Sequence, residues 1–129
     1  MQSDRPVILI VDDEERIRAG LADYFEDEGF AALTAGSAEE GLYALAGNRV
    51  ALCTVDIRLP GESGNQFIAR AHAVNPALKF LIYTGSADYE LPEALRAISM
   101  TDADVFIKPV EDLGLLLAAA NRLLGREKP

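Results

Sequence analysis

VILIVDDE, from Val7 to Glu14, is the segment that decides the fold. Its first five residues are all apolar, and most of them are β-branched. A continuous apolar run of this length is typical of a strand in a parallel sheet that helices cover on both faces. Asp12 and Asp13 follow immediately, so the segment predicts a buried strand that delivers carboxylates at its carboxyl end.

The alternation of a short apolar run with a helical pattern continues along the chain. Strands are predicted at Val7–Val11, Phe30–Thr34, Val50–Val55, Lys79–Tyr83 and Asp104–Ile107. Helices are predicted at Glu14–Glu28, 37–46, Asn65–Val74, Leu91–Ser99 and Glu111–Leu124. Five strand–helix units in succession predict an α/β fold with a doubly wound, five-stranded parallel sheet and five helices.

Local signals set the expected helix ends. Ser37 is expected to cap the second helix, with Glu40 completing a capping box. Pro92 is expected within the first turn of the fourth helix, where its missing N–H costs nothing.

Composition limits the classes of function. The chain has 129 residues, half of them hydrophobic, which predicts one domain over residues 1–129 with a core at about 7–124. A formal net charge of -9 disfavours direct binding to nucleic acid. No apolar stretch approaches the roughly 20 residues that span a bilayer, and residues 1–6 lack a signal-peptide core, so we expect a cytoplasmic protein without membrane association. Cys53 is the only cysteine and is expected in the core.

Chemically active side chains follow four of the five predicted strands. Ligands of doubly wound sheets bind at the carboxyl ends of the strands. These ends carry the following residues: Asp12, Asp13, Asp56, Thr84 and Lys108. Three carboxylates at one edge repel one another, and Mg²⁺ is a hard cation that relieves such repulsion. A carboxylate can also attack phosphorus to form an acyl phosphate, so the edge predicts magnesium-dependent phosphoryl transfer.

Four motifs together resemble the receiver domain of two-component response regulators. They are VILIVDDE at Val7–Glu14, DIRLPGESG at Asp56–Gly64, IYTG at Ile82–Gly85 and FIKP at Phe106–Pro109. The resemblance covers about Val7 to Leu124. It implies a flavodoxin-like sheet with strand order 2-1-3-4-5. It also implies a phosphorylation-dependent signalling switch rather than an enzyme acting on an outside substrate.

The same resemblance implies residue roles. Asp56 would be the phosphoacceptor, with the phosphoryl group arriving from a histidine kinase or a phosphotransfer protein. Mg²⁺ would be bound directly by Asp13, Asp56 and the main-chain carbonyl of Arg58, and through water by Asp12. The partners would include a downstream protein target or a linked output domain.

Two further residues would respond to the phosphoryl group. The resemblance implies that Thr84 moves toward it and that Lys108 pairs with it. The bond between Lys108 and Pro109 is expected to be cis. Simpler roles remain open from the residues alone: Thr84 closing a turn, and Lys108 lying solvated over the sheet.

Departures from the family pattern concern the output side. Where many receivers have an aromatic gate, this chain has Val105, and alternation places Phe106 on the opposite face of the strand. We therefore expect the signal to leave through the loop around Thr84, with Tyr89 as a candidate contact. Arg58, two residues after the acceptor, is a candidate for screening attacking water.

Two other functions fit parts of the pattern. An aspartate-nucleophile phosphatase usually has a second aspartate two residues after the nucleophile, where Arg58 stands in this chain. A pseudo-receiver would bind partners without phosphorylation, and the complete set of acidic, hydroxyl and lysine residues argues against it.

Overall fold

The structure, a computed structural model, describes residues 5–126. The outermost parts of the predicted domain, 1–4 and 127–129, lie outside the described residues. The strands are β1 Val7–Val11, β2 Ala31–Ala35, β3 Leu52–Val55, β4 Lys79–Thr84 and β5 Val105–Ile107. The helices are α1 Glu15–Asp27, α2 Ala38–Gly47, α3 Gly64–Val74, α4 Glu93–Arg96 and α5 Gly114–Leu123.

All strand pairs are parallel, and the sheet order is β2-β1-β3-β4-β5. This order confirms the predicted doubly wound sheet. The order reverses at β1, where the chain turns outward to β2 before returning to β3 on the other side. The carboxyl ends of β1 and β3 therefore lie next to each other at the switch point, where such sheets bind their ligands.

Both faces of the sheet are buried because successive side chains of each strand point to opposite sides. On β1, Leu9 and Val11 pack in the layer of α2, α3 and α4, with Phe67 as a large buried member. Ile8 and Ile10 pack in the opposite layer, with α1 and α5. This double burial explains why β1 is apolar throughout, and it leaves the strand ends as the places where polar chemistry can lie.

The fourth helix is much shorter than predicted. Only Glu93–Arg96 is α-helical, and Pro92 lies immediately before the helix as its N-cap residue rather than within its first turn. The chain leaves the helix through Ser99, whose φ of 79° is in the left-handed region. Met100 N then bonds back to the carbonyl of Leu95 at 3.2 Å, which closes the helix end. The apolar spacing that predicted Leu91–Ser99 as helix reflects packing into the core, and a helix is only part of that segment.

Other differences are confined to the ends of elements. The Ser37 hydroxyl accepts from the main-chain N–H of Glu40 at 3.1 Å, as predicted. The Glu40 carboxylate, however, accepts from Gly36 N at 2.8 Å, so the expected reciprocal capping box does not form. The last helix begins at Gly114 instead of Glu111, because the Asp112 side chain accepts from Gly114 N at 2.8 Å.

Candidate metal and phosphoryl site

The strand register brings Asp12 and Asp56 together at the carboxyl edge of the sheet. Val11 pairs with Val55, so the next residue of each strand lies at the same height. The main chain remains paired beyond the strands, with Asp56 N bonded to Val11 O at 2.9 Å. Both carboxylates are buried, with relative exposures of 2% for Asp12 and 5% for Asp56. Two buried acids side by side require a positive charge.

Lys108 supplies that charge from the end of β5. Its backbone N–H donates to the carbonyl of Thr84 at 2.8 Å, which fixes the base of the side chain. Its Nζ lies 2.7 Å from Asp12 Oδ2, 3.0 Å from Asp56 Oδ2 and 3.1 Å from Glu14 Oε1. The Lys108 side chain is only 10% exposed, so the solvated alternative is wrong. The peptide bond between Lys108 and Pro109 is cis, as predicted.

Burial and charge act on these groups in opposite directions. Burial disfavours the Lys108 ammonium, but the hydrogen bonds to Asp12, Asp56 and Glu14 outweigh it and raise the pKa of Lys108. For Asp12, burial raises the pKa of the carboxyl above its ordinary value, and the hydrogen bond from Lys108 offsets this only in part. Lys108 therefore stays charged, while Asp12 is held in a setting that resists a full negative charge.

Negative charge exceeds positive charge at this edge. Carboxylate oxygens of four residues lie within 4.8 Å of one another: Asp12, Asp13, Glu14 and Asp56. Ionised, they carry four negative charges, and Lys108 supplies one positive charge, which leaves three uncompensated. A set of hard oxygen donors with uncompensated charge fits Mg²⁺, which takes carboxylates and keeps the remaining positions for water or phosphate oxygens.

An open cleft adjoins the carboxylates. It has a volume of about 390 Å³ and is lined by Asp13, Glu14, Asp56, Arg58, Thr84 and Gly85. Thr84 is fully buried, and its hydroxyl oxygen accepts from Ser86 N at 3.3 Å. That bond leaves the hydroxyl hydrogen available as a donor. The cleft thus brings the predicted acceptor and the predicted threonine to one space large enough for a phosphoryl group.

The loop after Asp56 is held by close backbone contact. Gly64 N donates to the carbonyl of Ile57 at 2.8 Å, and a Cβ at position 64 would lie 2.3 Å from the carbonyl oxygen of Asp56. Only glycine fits so close to the main chain. Arg58 is exposed beside this loop, and its backbone N–H donates to Asp56 Oδ1 at 3.4 Å.

Glu14 is the site residue that the sequence reasoning overlooked. It belongs to the opening motif, but the family pattern implies roles only for Asp12 and Asp13. Its carboxylate contacts Lys108 and lies within the acidic group. Its adjacency to the aspartates was the available signal. The turn that brings it there is closed by Asp12 Oδ1, which accepts from Glu14 N at 2.9 Å. Asp12 thus has a turn-closing role in addition to its place in the cluster.

The other sequence predictions are placed as follows. Cys53 is fully buried, as predicted, and burial raises the pKa of its thiol. Val105 packs in the layer of α2, α3 and α4, called the α2–α4 layer, and Phe106 packs in the layer of α1 and α5. The prediction that the two side chains point to opposite faces of the sheet is therefore confirmed. Tyr89 packs beside the α2–α4 layer, and its hydroxyl lies 2.6 Å from Asn65 Oδ1.

Comparisons with known proteins agree with the fold. The model of the response regulator receiver domain matches residues 8–121, and the chain belongs to this family, the phosphoacceptor switch of two-component systems. Receiver domains bind Mg²⁺ at the acidic site; they are signalling domains rather than classical enzymes. None of the helices within 5–126 has the length and apolar character needed to cross a membrane.

Several relatives are transcriptional regulatory proteins. The chain is 32% identical over 126 residues to the alginate biosynthesis transcriptional regulatory protein AlgB of Pseudomonas putida, covering 98% of this chain and 28% of that protein. It is 35% identical over 121 residues to the transcriptional regulatory protein AruR of Pseudomonas aeruginosa, covering 90% of this chain and 48% of that protein. The chain thus spans from about a quarter to about half the length of these relatives.

Solved structures show the same architecture. A CheY-like receiver domain protein from Methanospirillum hungatei superposes with a TM-score of 0.78 at 29% identity, covering 95% of this chain and 97% of that one. The response regulator TrrA of Thermotoga maritima, in complex with Mg²⁺ and BeF, superposes with a TM-score of 0.79 at 26% identity, covering 92% of this chain and 98% of that one.

Proposed function

We propose that Asp56 is the residue that accepts the phosphoryl group in this receiver domain. The observation that carries the proposal is the shared contact of Lys108 Nζ with Asp56 Oδ2 and Asp12 Oδ2, at 3.0 and 2.7 Å. Of the two aspartates that contact Lys108, Asp56 lines the open cleft with Thr84 and Asp12 does not. A carboxylate oxygen there has both an incoming path for a phosphoryl group and a fixed cation beside it.

Asp12, Asp13 and Asp56, with the main-chain carbonyl of Arg58, would hold Mg²⁺. The close approach of the three carboxylates and the excess negative charge support this donor set. When bound, the ion supplies positive charge to the phosphoryl oxygens. Glu14 is bonded to Lys108 and is largely exposed, and we assign it to holding the lysine rather than to the metal.

The transfer forms one bond and breaks one bond. An oxygen of Asp56 attacks phosphorus, and the bond from phosphorus to the donor's leaving atom breaks, with the electron pair departing on that atom. Lys108 stabilises the charge on the phosphoryl oxygens, and the free hydroxyl hydrogen of Thr84 is available to one of them.

The setting of the reaction follows from the family. We propose a histidine kinase or phosphotransfer protein as the donor, since TrrA has also been solved in complex with the histidine kinase ThkA, in a structure whose matched chain is 27% identical to this chain. The receiver transmits its state to a downstream protein target or a linked output domain, as the transcriptional relatives suggest. We propose that residues 1–129 form one receiver domain, that it works in the cytoplasm and that it turns over no outside substrate.

Incubation with Mg²⁺ and acetyl phosphate, followed by intact mass measurement, tests the central assignment. Wild type should gain one phosphate, and Asp56→Asn should gain none. Asp102→Asn is a matched control, because that carboxylate is 80% exposed, pairs with Arg96 and lies before the amino end of β5, whereas Lys108 follows the carboxyl end. An undiminished adduct on Asp56→Asn, or none on wild type, contradicts the proposal.

We propose that Arg58 lengthens the lifetime of the phosphate on Asp56. Its side chain is exposed at the mouth of the cleft that Asp56 lines, where it can hinder water. Arg58→Ala should lose its phosphate faster than wild type after the donor is removed, and Arg58→Lys should be intermediate. Equal lifetimes for wild type and Arg58→Ala would remove this role.

A further inference from the structure

A tyrosine joins the loop after β4 to the first turn of α3. The Tyr89 hydroxyl donates to Asn65 Oδ1 at 2.6 Å, across 24 residues of sequence. The Tyr89 ring is partly buried against the α2–α4 layer, and burial raises the pKa of its hydroxyl to about 12. The hydroxyl therefore remains a donor throughout the physiological range of pH.

Hydrogen bonds lead from Tyr89 back to Thr84. Tyr89 N donates to the carbonyl of Ser86 at 3.0 Å, and Ser86 N donates to the hydroxyl oxygen of Thr84 at 3.3 Å. The second bond occupies a lone pair of the threonine oxygen, so it fixes where the free hydroxyl hydrogen can point. These two bonds connect the main chain of Tyr89 to the Thr84 hydroxyl, which lies at the cleft.

Asn65 lies on the acceptor side of this connection. Its neighbour Gly64 is in direct contact with the main chain of Asp56, where a Cβ would have no room. The Ser63 hydroxyl accepts from Gln66 N at 3.2 Å and the Gln66 side chain accepts from Ser63 N at 2.9 Å, which fixes the first turn of α3. The first turn of α3 is therefore held in place, and with it the position from which Asn65 bonds to Tyr89.

We propose that Tyr89 is a positioning residue for phosphoryl transfer, because its bond to Asn65 holds the loop after β4 so that the Thr84 hydroxyl is oriented toward Asp56. This inference rests on the proposed function of Asp56. On β5 this chain has Val105 where many receivers have an aromatic residue. Its tyrosine lies instead on the loop after β4. The tyrosine acts through Thr84 and touches none of the reacting atoms.

Rates of phosphorylation by acetyl phosphate, followed by intact mass at saturating Mg²⁺, test this inference. Tyr89→Phe and Asn65→Ala should each react about three- to tenfold more slowly than wild type, the effect expected from losing one orienting hydrogen bond. Tyr43→Phe, a change at a tyrosine that is 84% exposed, should react at the wild-type rate. The Mg²⁺ concentration for half-maximal rate should be the same in all variants, since the metal ligands are untouched.

Combined variants separate positioning from a general loss of structure. Asn65→Asp keeps an acceptor oxygen. Adding Tyr89→Phe to Asn65→Asp should therefore slow the reaction by the same factor as Tyr89→Phe does in wild type. Asn65→Ala has no acceptor, so Tyr89→Phe should slow it no further. Equal slowing in both backgrounds, or a wild-type rate for Tyr89→Phe while wild type forms its adduct, overturns the inference alone. A wild type that forms no adduct overturns the proposed function, and the inference with it.

Discussion

Two acidic groups that contain buried aspartates lie at opposite ends of the sheet and are neutralised differently. At the amino end of β5, Asp104 Oδ1 lies 3.0 Å from Arg122 of α5, and Asp104 Oδ2 accepts from Thr101 N at 2.9 Å. One carboxylate there meets one guanidinium and one N–H. At the carboxyl end, four carboxylates lie close together, and Lys108 contacts three of them. We call these the lower pair, Asp104 with Arg122, and the upper cluster, Asp12, Asp13, Glu14, Asp56 and Lys108.

The difference separates a structural role from a functional one. The lower pair is satisfied in itself, so removing a partner only leaves a buried charge poorly compensated. The upper cluster has more negative charge than its own residues can neutralise. It therefore gains from a bound cation, and part of its repulsion is present whenever that cation is absent. Substitutions of acids at the two ends should have opposite effects on stability.

The largest expected effect is at the lower pair. Asp104→Ala should lower the free energy of unfolding by about 2 to 3 kcal/mol, because a buried, charge-assisted set of bonds is lost. The Arg122 side chain is 40% exposed and regains water, which keeps the loss below that of a fully buried pair. Urea unfolding measures this. Asp102→Ala, which breaks the exposed bond to Arg96, should cost under about 0.5 kcal/mol. Similar losses for the two variants would contradict the comparison.

Magnesium should stabilise only the upper cluster. At a Mg²⁺ concentration ten times the dissociation constant, wild type should gain about 1.4 kcal/mol in the free energy of unfolding. Asp56→Asn and Asp13→Asn should gain much less, while Asp104→Ala should gain as much as wild type. Chelation with EDTA should reverse the gain. A stabilisation retained in Asp56→Asn would place the ion elsewhere.

In the absence of metal, replacing one carboxylate of the upper cluster should leave the free energy of unfolding unchanged or raise it. Asp56→Asn should raise the free energy of unfolding by up to about 1 kcal/mol at low salt, since Lys108 keeps two acidic partners and a repulsion is relieved. Added salt should reduce the gain. A loss as large as that of Asp104→Ala would show that the upper cluster is as well compensated as the lower pair.

The smallest effect concerns the pH dependence of Asp12. Because burial raises the pKa of Asp12 in the folded state, its contribution to stability decreases as pH rises from its ordinary value of 3.8 through the raised value. Asp12→Asn should therefore match wild type below pH 3.8 and exceed it at neutral pH, without metal. Unfolding curves at several pH values test the sign. An advantage of the variant only at acidic pH would contradict it.

Most of the upper cluster could be predicted from sequence because strand order and register are determined by repeated patterns. The apolar run of β1 and the position of Asp56 after β3 were sufficient to place both aspartates at one edge. Lys108 was predicted at the same edge by the same reasoning. Glu14 was missed since its place depends on how a turn closes, and a strand pattern contains no information about that.

The lower pair could not be predicted. The sequence pattern predicts Asp104 as the first residue of a strand, but it belongs to a short 3-10 helix, Asp102–Asp104, that precedes β5. Its partner comes from α5, 18 residues later, through a side-chain contact that no short spacing encodes. The short α4 was missed for a related reason, because apolar spacing does not distinguish a full helix from a single turn followed by a left-handed residue.

Gly64 gives the acceptor an unusual mechanical property. With no side chain between Asp56 and α3, the two backbones touch directly, and no rotamer change can absorb a displacement of either. A displacement of the main chain of Asp56 must therefore displace the start of α3 as well. Position 64 should consequently be among the least permissive in the chain: a library of all amino acids there, selected for phosphorylation, should return glycine alone.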